Sequence, residues 1–207
     1  MIAMLDTSHD LQEASTELGC PVEQLLTPLT RYLPQYPEER FAIDNGAFSR
    51  FDAAAFRSLL EREKSRIKLC RFVAVPDVVA SARRTLEVFD HWRTSESCLR
   101  LWPLALVAQD GQENLSIPWD HIEAIFIGGS TGWKLGPYAA AVIKAAVAMG
   151  KWVHVGRVNT PGRFEYFEEL GVDSIDGTGL SRYSWMRQRI YDAAQSPNLF
   201  TAEASVQ

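Results

Sequence analysis

Apolar positions along the chain gather in short runs rather than spreading evenly. They are MIAML at 1–5, FAID at 41–44, RFVAV at 71–75, LALVAQ at 104–109, AIFIG at 124–128, WVHVG at 152–156 and VDSID at 172–176. Several are apolar on consecutive positions, the pattern of parallel strands covered on both faces. Helical patterns lie between them. Asp52 is placed to cap a helix carrying Phe56, Leu59 and Leu60. Ser81 to Trp92 presents Ala82, Leu86 and Phe89 on one face, and the Ala-rich stretch Tyr138 to Met149 stops at Gly150. Thr160-Pro161 forms an N-cap and first-turn pair for a helix closing at Gly171. A last helix is predicted over Ser181 to Ala194.

Strand and helix alternate with a period of roughly 25–30 residues, the grammar of α/β folds. Two architectures fit: a doubly wound open sheet, or a small (β/α)8 TIM-type barrel. The chain has 207 residues, and such barrels run to about 250 residues with a floor near 200. Only one clear strand precedes Asp44, which leaves a seven-stranded or irregular closure open beside the complete eight-stranded barrel. The Pro-rich stretch at 28–40 reads as a loop between the first two strands. Residues 1–195 form one expected domain, and the polar segment 196–207 reads as a frayed tail.

Charge narrows the classes. Lys and Arg number 21 against 26 Asp and Glu, a formal charge of −5, which excludes a basic protein that coats nucleic acid. No apolar run reaches the roughly 18–20 residues of a spanning helix, and Asp6 interrupts the N-terminus before a signal-peptide core could form. Cys20, Cys70 and Cys98 are odd in number and far apart. They read as reduced thiols of a cytoplasmic protein with no metal site.

The strand ends carry the chemistry. FAID ends in Asp44, RFVAVP in Asp77 and LALVAQ in Gln109; AIFI runs into Gly128-Gly129; WVHVG is followed by Arg157; VDSI ends in Asp176. In parallel α/β folds the C-terminal strand ends converge on one face, where active sites form. Each residue also has an ordinary reading. Asp before Asn-Gly is a turn former, Gln109 could cap a strand, the glycine pair could be a bare turn, and His154 reads as a hydrogen-bonded core histidine. Those ordinary readings would all have to hold together on one rim. Two carboxylates there suit glycosyl chemistry, one attacking an anomeric carbon while the other moves protons. An amide beside a carboxylate suits the edge of a purine.

Over roughly 41–185 the chain resembles the tRNA-guanine transglycosylase superfamily. The likeness is greatest to its phage and bacterial branch, the DpdA-type deoxypurine-in-DNA (7-deazaguanine) transglycosylases. FAIDNGAF resembles the family's Asp-Ser-Gly-Gly-Phe segment, with Asn45 and Ala47 in place of Ser and Gly, and implies that Asp44 is the general acid/base. VAVPD implies a base-recognising Asp77, and LVAQDG a purine-reading Gln109. FIGGSTG resembles the loop whose backbone approaches the base, implying Gly128 and Gly129. The segment from His154 to Gly177 resembles the Gly-Val-Gly-Thr-Pro helix and Val-Asp-x-x-Asp, implying Asp176 as covalent nucleophile. The tRNA enzymes follow that nucleophile with zinc-binding cysteines; here no cysteine follows Cys98, so the zinc subdomain is expected to be missing.

The resemblance implies exchange of guanine in DNA for a 7-deazaguanine base, with the free bases as substrate and product. It requires no cofactor. Lys134, Arg157 and Arg182, each beyond a strand end, are candidate phosphate contacts, with ordinary surface cations as the equal alternative. tRNA in place of DNA is the first rival. A non-catalytic accessory subunit, and a lyase or isomerase binding a phosphorylated substrate at Gly128–Thr131, are the others. A homo-oligomer or a partner protein is compatible with each, and no membrane association is expected.

Overall fold

The computed structural model describes residues 1–6, 10–29 and 37–195. Eight strands, all parallel, close into a barrel in sequence order. They are β1 (Ile2–Leu5), β2 (Val22–Leu26), β3 (Phe41–Ile43), β4 (Cys70–Ala74), β5 (Leu104–Ala108), β6 (Ala124–Ile127), β7 (Trp152–Val155) and β8 (Ser174–Asp176). Closure runs through the β1–β8 pair, where Met4 lies opposite Asp176. The fold is therefore the small TIM-type barrel, and the open-sheet alternative is excluded.

The closure is a complete eight-stranded one, so the seven-stranded alternative falls. A second strand, β2, precedes Asp44, introduced by helix α1 (Leu11–Leu18). Asp10 caps α1 by accepting from the Gln12 and Glu13 amides, and Gly19 ends it at φ +68°, a left-handed turn that glycine adopts at no steric cost. The β2 sequence VEQLL hid its strand because two of its five residues are polar. Glu23 points into the barrel and forms a two-point ion pair with Arg71, its Oε1 accepting from Nη2 at 2.6 Å and its Oε2 from Nε at 2.9 Å. The Arg71 guanidinium in turn lies 4.5 Å over the Trp152 ring. The Pro-rich segment thus joins the second and third strands, and its residues 30–36, like the expected tail at 196–207, lie outside the described residues.

The remaining helices are α2 (Ala53–Glu63), α3 (Ala82–Ser95), α4 (Thr131–Lys134), α5 (Pro137–Ala148), α6 (Pro161–Glu169), α7 (Thr178–Arg182) and α8 (Ser184–Gln195). Asp52 caps α2 as its position predicted, accepting from Ala54 and Ala55. The single last helix expected over 181–194 is two, because Tyr183 takes an extended conformation between α7 and α8.

Strand residues alternate between two environments, as the two-residue period of a strand requires. One set fills the barrel: Met4, Leu25, Ala42, Phe72, Ala74, Ala105, Val107, Ala124 and Phe126. The other set faces the helices in two outer cores. One is built on Ile125, Val153 and Ile175 with α5 and α6, the other on Ile43, Val73 and Leu106 with α2 and α3. The inward set continues upward into the polar strand ends. Among the described residues no helix is long and apolar enough to cross a membrane.

Candidate active site

Six strand ends deliver their residues to one cavity of about 180 Å³ at the C-terminal mouth of the barrel. Its lining includes Asp44, Asp77, Gln109, Gly128, Arg157 and Asp176. Six of the nine residues singled out from sequence thus meet at one place.

On one wall, Asp77 is gripped by two amides. Asn45 Nδ2 donates to its Oδ1 at 2.9 Å and Gln109 Nε2 to its Oδ2 at 2.7 Å. Each amide is itself anchored. Asn45 Nδ2 also donates to the Val75 carbonyl at 3.0 Å, and Gln109 Oε1 accepts from the Ala80 amide at 2.9 Å. Burial raises the Asp77 carboxyl, and the amide hydrogen bonds oppose part of that rise. Asn45 is 2% exposed; in the sequence it stands out only as a departure from the segment that FAIDNGAF resembles. Its position after an inward strand end is the signal that could have marked it as a site residue.

The other wall holds Asp176 between the Arg157 amide and the His154 ring. The Arg157 amide reaches Oδ1 at 3.1 Å, and His154 Nε2 lies 3.1 Å from Oδ2. Arg157 adopts φ +64°, a left-handed conformation that costs a non-glycine residue of order 1 kcal/mol or more. Its guanidinium donates to the Gly128 and Gly129 carbonyls at 2.6 and 2.5 Å and stacks 4.4 Å from the Phe48 ring. Among the described residues the only other non-glycine at positive φ is Ala80, whose amide holds Gln109. Both strained positions therefore brace a cavity residue.

Asp44 sits at the third strand end, its Oδ1 accepting from the Gly46 amide at 3.3 Å. Burial, then the facing charge of Asp176, push its carboxyl up to about 7. The two carboxylates consequently differ. Asp44 is raised into the neutral range, whereas each Asp176 oxygen has a nitrogen at 3.1 Å, the Arg157 amide on one and the His154 ring on the other. Two carboxyls in unlike surroundings within one cavity can divide proton transfer and nucleophilic attack or charge stabilisation between them.

Three expectations change. Gly129 does not line the cavity: a Cβ there would meet Trp133 Cε3 at 2.5 Å and Asp110 Oδ2 at 2.7 Å, so close packing behind the loop accounts for its lack of a side chain. The Gly128 and Gly129 amides both donate to the Ala108 carbonyl, which leaves their carbonyl edges, under Arg157, as the loop's polar face. Lys134 is not a surface cation. It is 3% exposed and its Nζ donates to the Gly156 carbonyl; burial, then the neighbouring Arg157, lower it to about 8. It supports the β7 turn instead of meeting phosphate. Arg182 is exposed on α7, the segment that leaves β8.

Asp110, unassigned in the sequence, occupies the Gly-rich loop. Its Oδ2 accepts from the Ser130 amide at 2.7 Å and its Oδ1 from Ser130 Oγ at 2.5 Å. Burial alone would raise its carboxyl, but the Ser130 hydrogen bonds, with help from Arg157, hold it below the usual carboxylate range. An internal anion thus takes the donors that a substrate phosphate would need.

No family model and no curated protein matches the chain. Similarity appears at the level of fold. A crystal structure of the Amycolatopsis orientalis BexX/CysO complex matches 100% of this chain and 92% of its own at 13% identity, with a TM-score of 0.56. A native KDPGal structure matches 94% and 93% at 14% identity, with a TM-score of 0.47. At such identities the likeness concerns the barrel fold alone.

Proposed function

We propose that the protein is a base-exchange glycosyltransferase that replaces guanine in DNA with a 7-deazaguanine derivative through an aspartyl-glycosyl intermediate. The observation that carries this reading is the pairing of Asp44 and Asp176 in one cavity, one carboxyl raised to about 7 and the other held between the Arg157 amide and the His154 ring. Asp176 attacks C1′ of the target deoxyguanosine, forming the C1′–O bond as C1′–N9 breaks. The departing guanine takes the Asp44 proton. The incoming deazapurine returns its N9 proton to Asp44, and its N9 displaces the Asp176 carboxylate from C1′. Protons and electron pairs balance over the cycle, and neither ATP nor a redox partner enters.

Base recognition falls to Asp77 and Gln109. With Asn45 and Gln109 holding it, Asp77 keeps lone pairs for the N–H edge of a guanine-type base, and Gln109 retains a second amide hydrogen. A duplex target must flip the nucleotide out at a cost of a few kcal/mol, with exposed Arg182 and the cavity-lining Arg157 as the candidate cations for its backbone. The phosphate-binding lyase or isomerase reading is disfavoured because Asp110 already occupies the Ser130 donors. An accessory subunit would need only the recognition wall, and the presence of both carboxylates in the same cavity favours catalysis by this chain.

Trapping tests the proposal. Protein incubated with guanine-containing DNA should give an adduct stable to denaturant that is lost in Asp176→Asn. Formation of the same adduct by that variant would refute the assignment. Labelled guanine incorporated into tRNA but not DNA would overturn the polymer, and exchange only on addition of a second protein would favour the accessory reading.

A further inference from the structure

Below Asp176 the barrel interior carries three polar side chains that the exchange mechanism leaves unused. Ser174 is inward on β8, two residues before Asp176. Trp152 and His154 are inward on β7, two residues apart, and His154 lies opposite Ser174 in register. Ser174 and His154 are both 0% exposed. The His154 ring is wedged between Phe126, at 4.5 Å between centroids, and Phe72, at 5.1 Å. Buried polar groups of this kind are tolerated when every one finds a partner, and here each does. Trp152 Nε1 lies 2.8 Å from Ser174 Oγ, Ser174 Oγ 2.9 Å from His154 Nδ1, and His154 Nε2 3.1 Å from Asp176 Oδ2.

Donor and acceptor capacities fix the direction of this chain. The indole N–H can only donate, so Ser174 Oγ accepts from Trp152. A carboxylate can only accept, so His154 donates from Nε2 to Asp176. The remaining link is closed when the Ser174 hydroxyl donates to an unprotonated Nδ1. A doubly protonated ring would make Ser174 Oγ accept from both neighbours and leave its own buried hydrogen with no acceptor among the described residues.

We propose that His154 is a positioning residue for Asp176. A one-way chain from Trp152 through Ser174 locks its neutral imidazole as the Nε2–H tautomer, and that N–H orients the carboxylate. Together with the Arg157 amide on Oδ1, the imidazole stops the carboxylate from rotating and presents it to the cavity in one orientation. Because the histidine is neutral, it has no extra proton with which to quench the carboxylate when that group is displaced from C1′. The role assigned to the orientation rests on the exchange reading above, whereas the tautomer and its hold on Asp176 do not.

The experiment has two independent arms. In ¹⁵N-histidine NMR at neutral pH, the signal lost in His154→Gln should belong to a neutral Nε2–H tautomer. Ser174→Ala should shift that signal toward a mixture of tautomers, and Asp176→Ala should move its Nε2 resonance. An Nδ1–H tautomer, a doubly protonated ring, or indifference to both substitutions overturns the proposal, whatever the protein catalyses. In the kinetic arm, His154→Phe should slow adduct formation roughly 10- to 100-fold, the scale of a misplaced reacting group, with the affinity for free base little changed. His154→Gln, whose Nε2 can still donate, should recover most of the rate. Equal loss in Phe and Gln variants, or loss expressed mainly as weaker base binding, overturns the positioning role. If wild-type protein forms no adduct at all, the exchange reading fails, and the NMR arm still decides whether His154 is locked onto Asp176.

Discussion

The proton on Asp44 makes stability depend on pH in a direction opposite to that of most carboxylates. Its carboxyl is raised from 3.8 to about 7, first by burial and then by the charge of Asp176. Below the unfolded value both states hold the proton and the residue costs nothing. Between 3.8 and about 7 only the folded state keeps it, so stability falls as pH rises; above about 7 the full cost applies. At about 1.36 kcal/mol per unit, that cost is about 4 kcal/mol at high pH and between 1 and 2 kcal/mol at pH 5. Asp44→Asn removes the charge and leaves an oxygen for the Gly46 amide. The variant should therefore gain on wild type by about 3 kcal/mol between pH 5 and pH 8. For a chain of this length that gain is roughly 6–12 °C in Tm. Urea and thermal unfolding of both proteins at the two pH values measure it. The same difference at pH 5 and pH 8, or a loss for the variant at pH 8, would refute the assignment of Asp44 as the proton-holding carboxyl. Adduct formation should fall as pH rises through about 7, as the acid form is depleted.

Three further outcomes follow from the site's construction. Gly129→Ala drives a methyl into Trp133 and Asp110 and should lower stability by about 1–3 kcal/mol, visible as a lower urea midpoint; an unchanged midpoint would show that the loop yields freely. Asn45→Ala removes one of the two amides on the half-buried Asp77 carboxyl, together with the anchor on Val75, at about 1–3 kcal/mol, and should weaken purine binding in calorimetry. Replacing exposed Arg182 with Ala should reduce the salt slope of DNA binding by about one, whereas Lys134→Met should leave that slope unchanged and act on thermal stability. A reduced slope in the lysine variant would show that Lys134 reaches phosphate after all.

Local pattern along the chain was enough to locate seven of the eight strands and the alternation between strand and helix. It also determined the convergence of polar residues at the strand ends, because apolar runs and capping residues are local signals. β2 escaped because Glu23 is inward and polar, which breaks the apolar run; its justification is Arg71, 48 residues further on. The gathering of Asp44, Asp77, Gln109, Gly128, Arg157 and Asp176 was legible because a parallel barrel brings every C-terminal strand end to one rim. What each group does there was not. A two-residue period tells which side chains share a face, but only closure of the barrel decides which face is inside and what stands across the cavity. That closure sets Asp176 against Asp44, three strands away round the ring, and so places the proton. It sets His154 beneath Asp176, sends Asp110 to the Ser130 donors and buries Lys134 under β7. Charge, burial and hydrogen-bond partners depend on neighbours distant in sequence, so they emerge only once the barrel has closed.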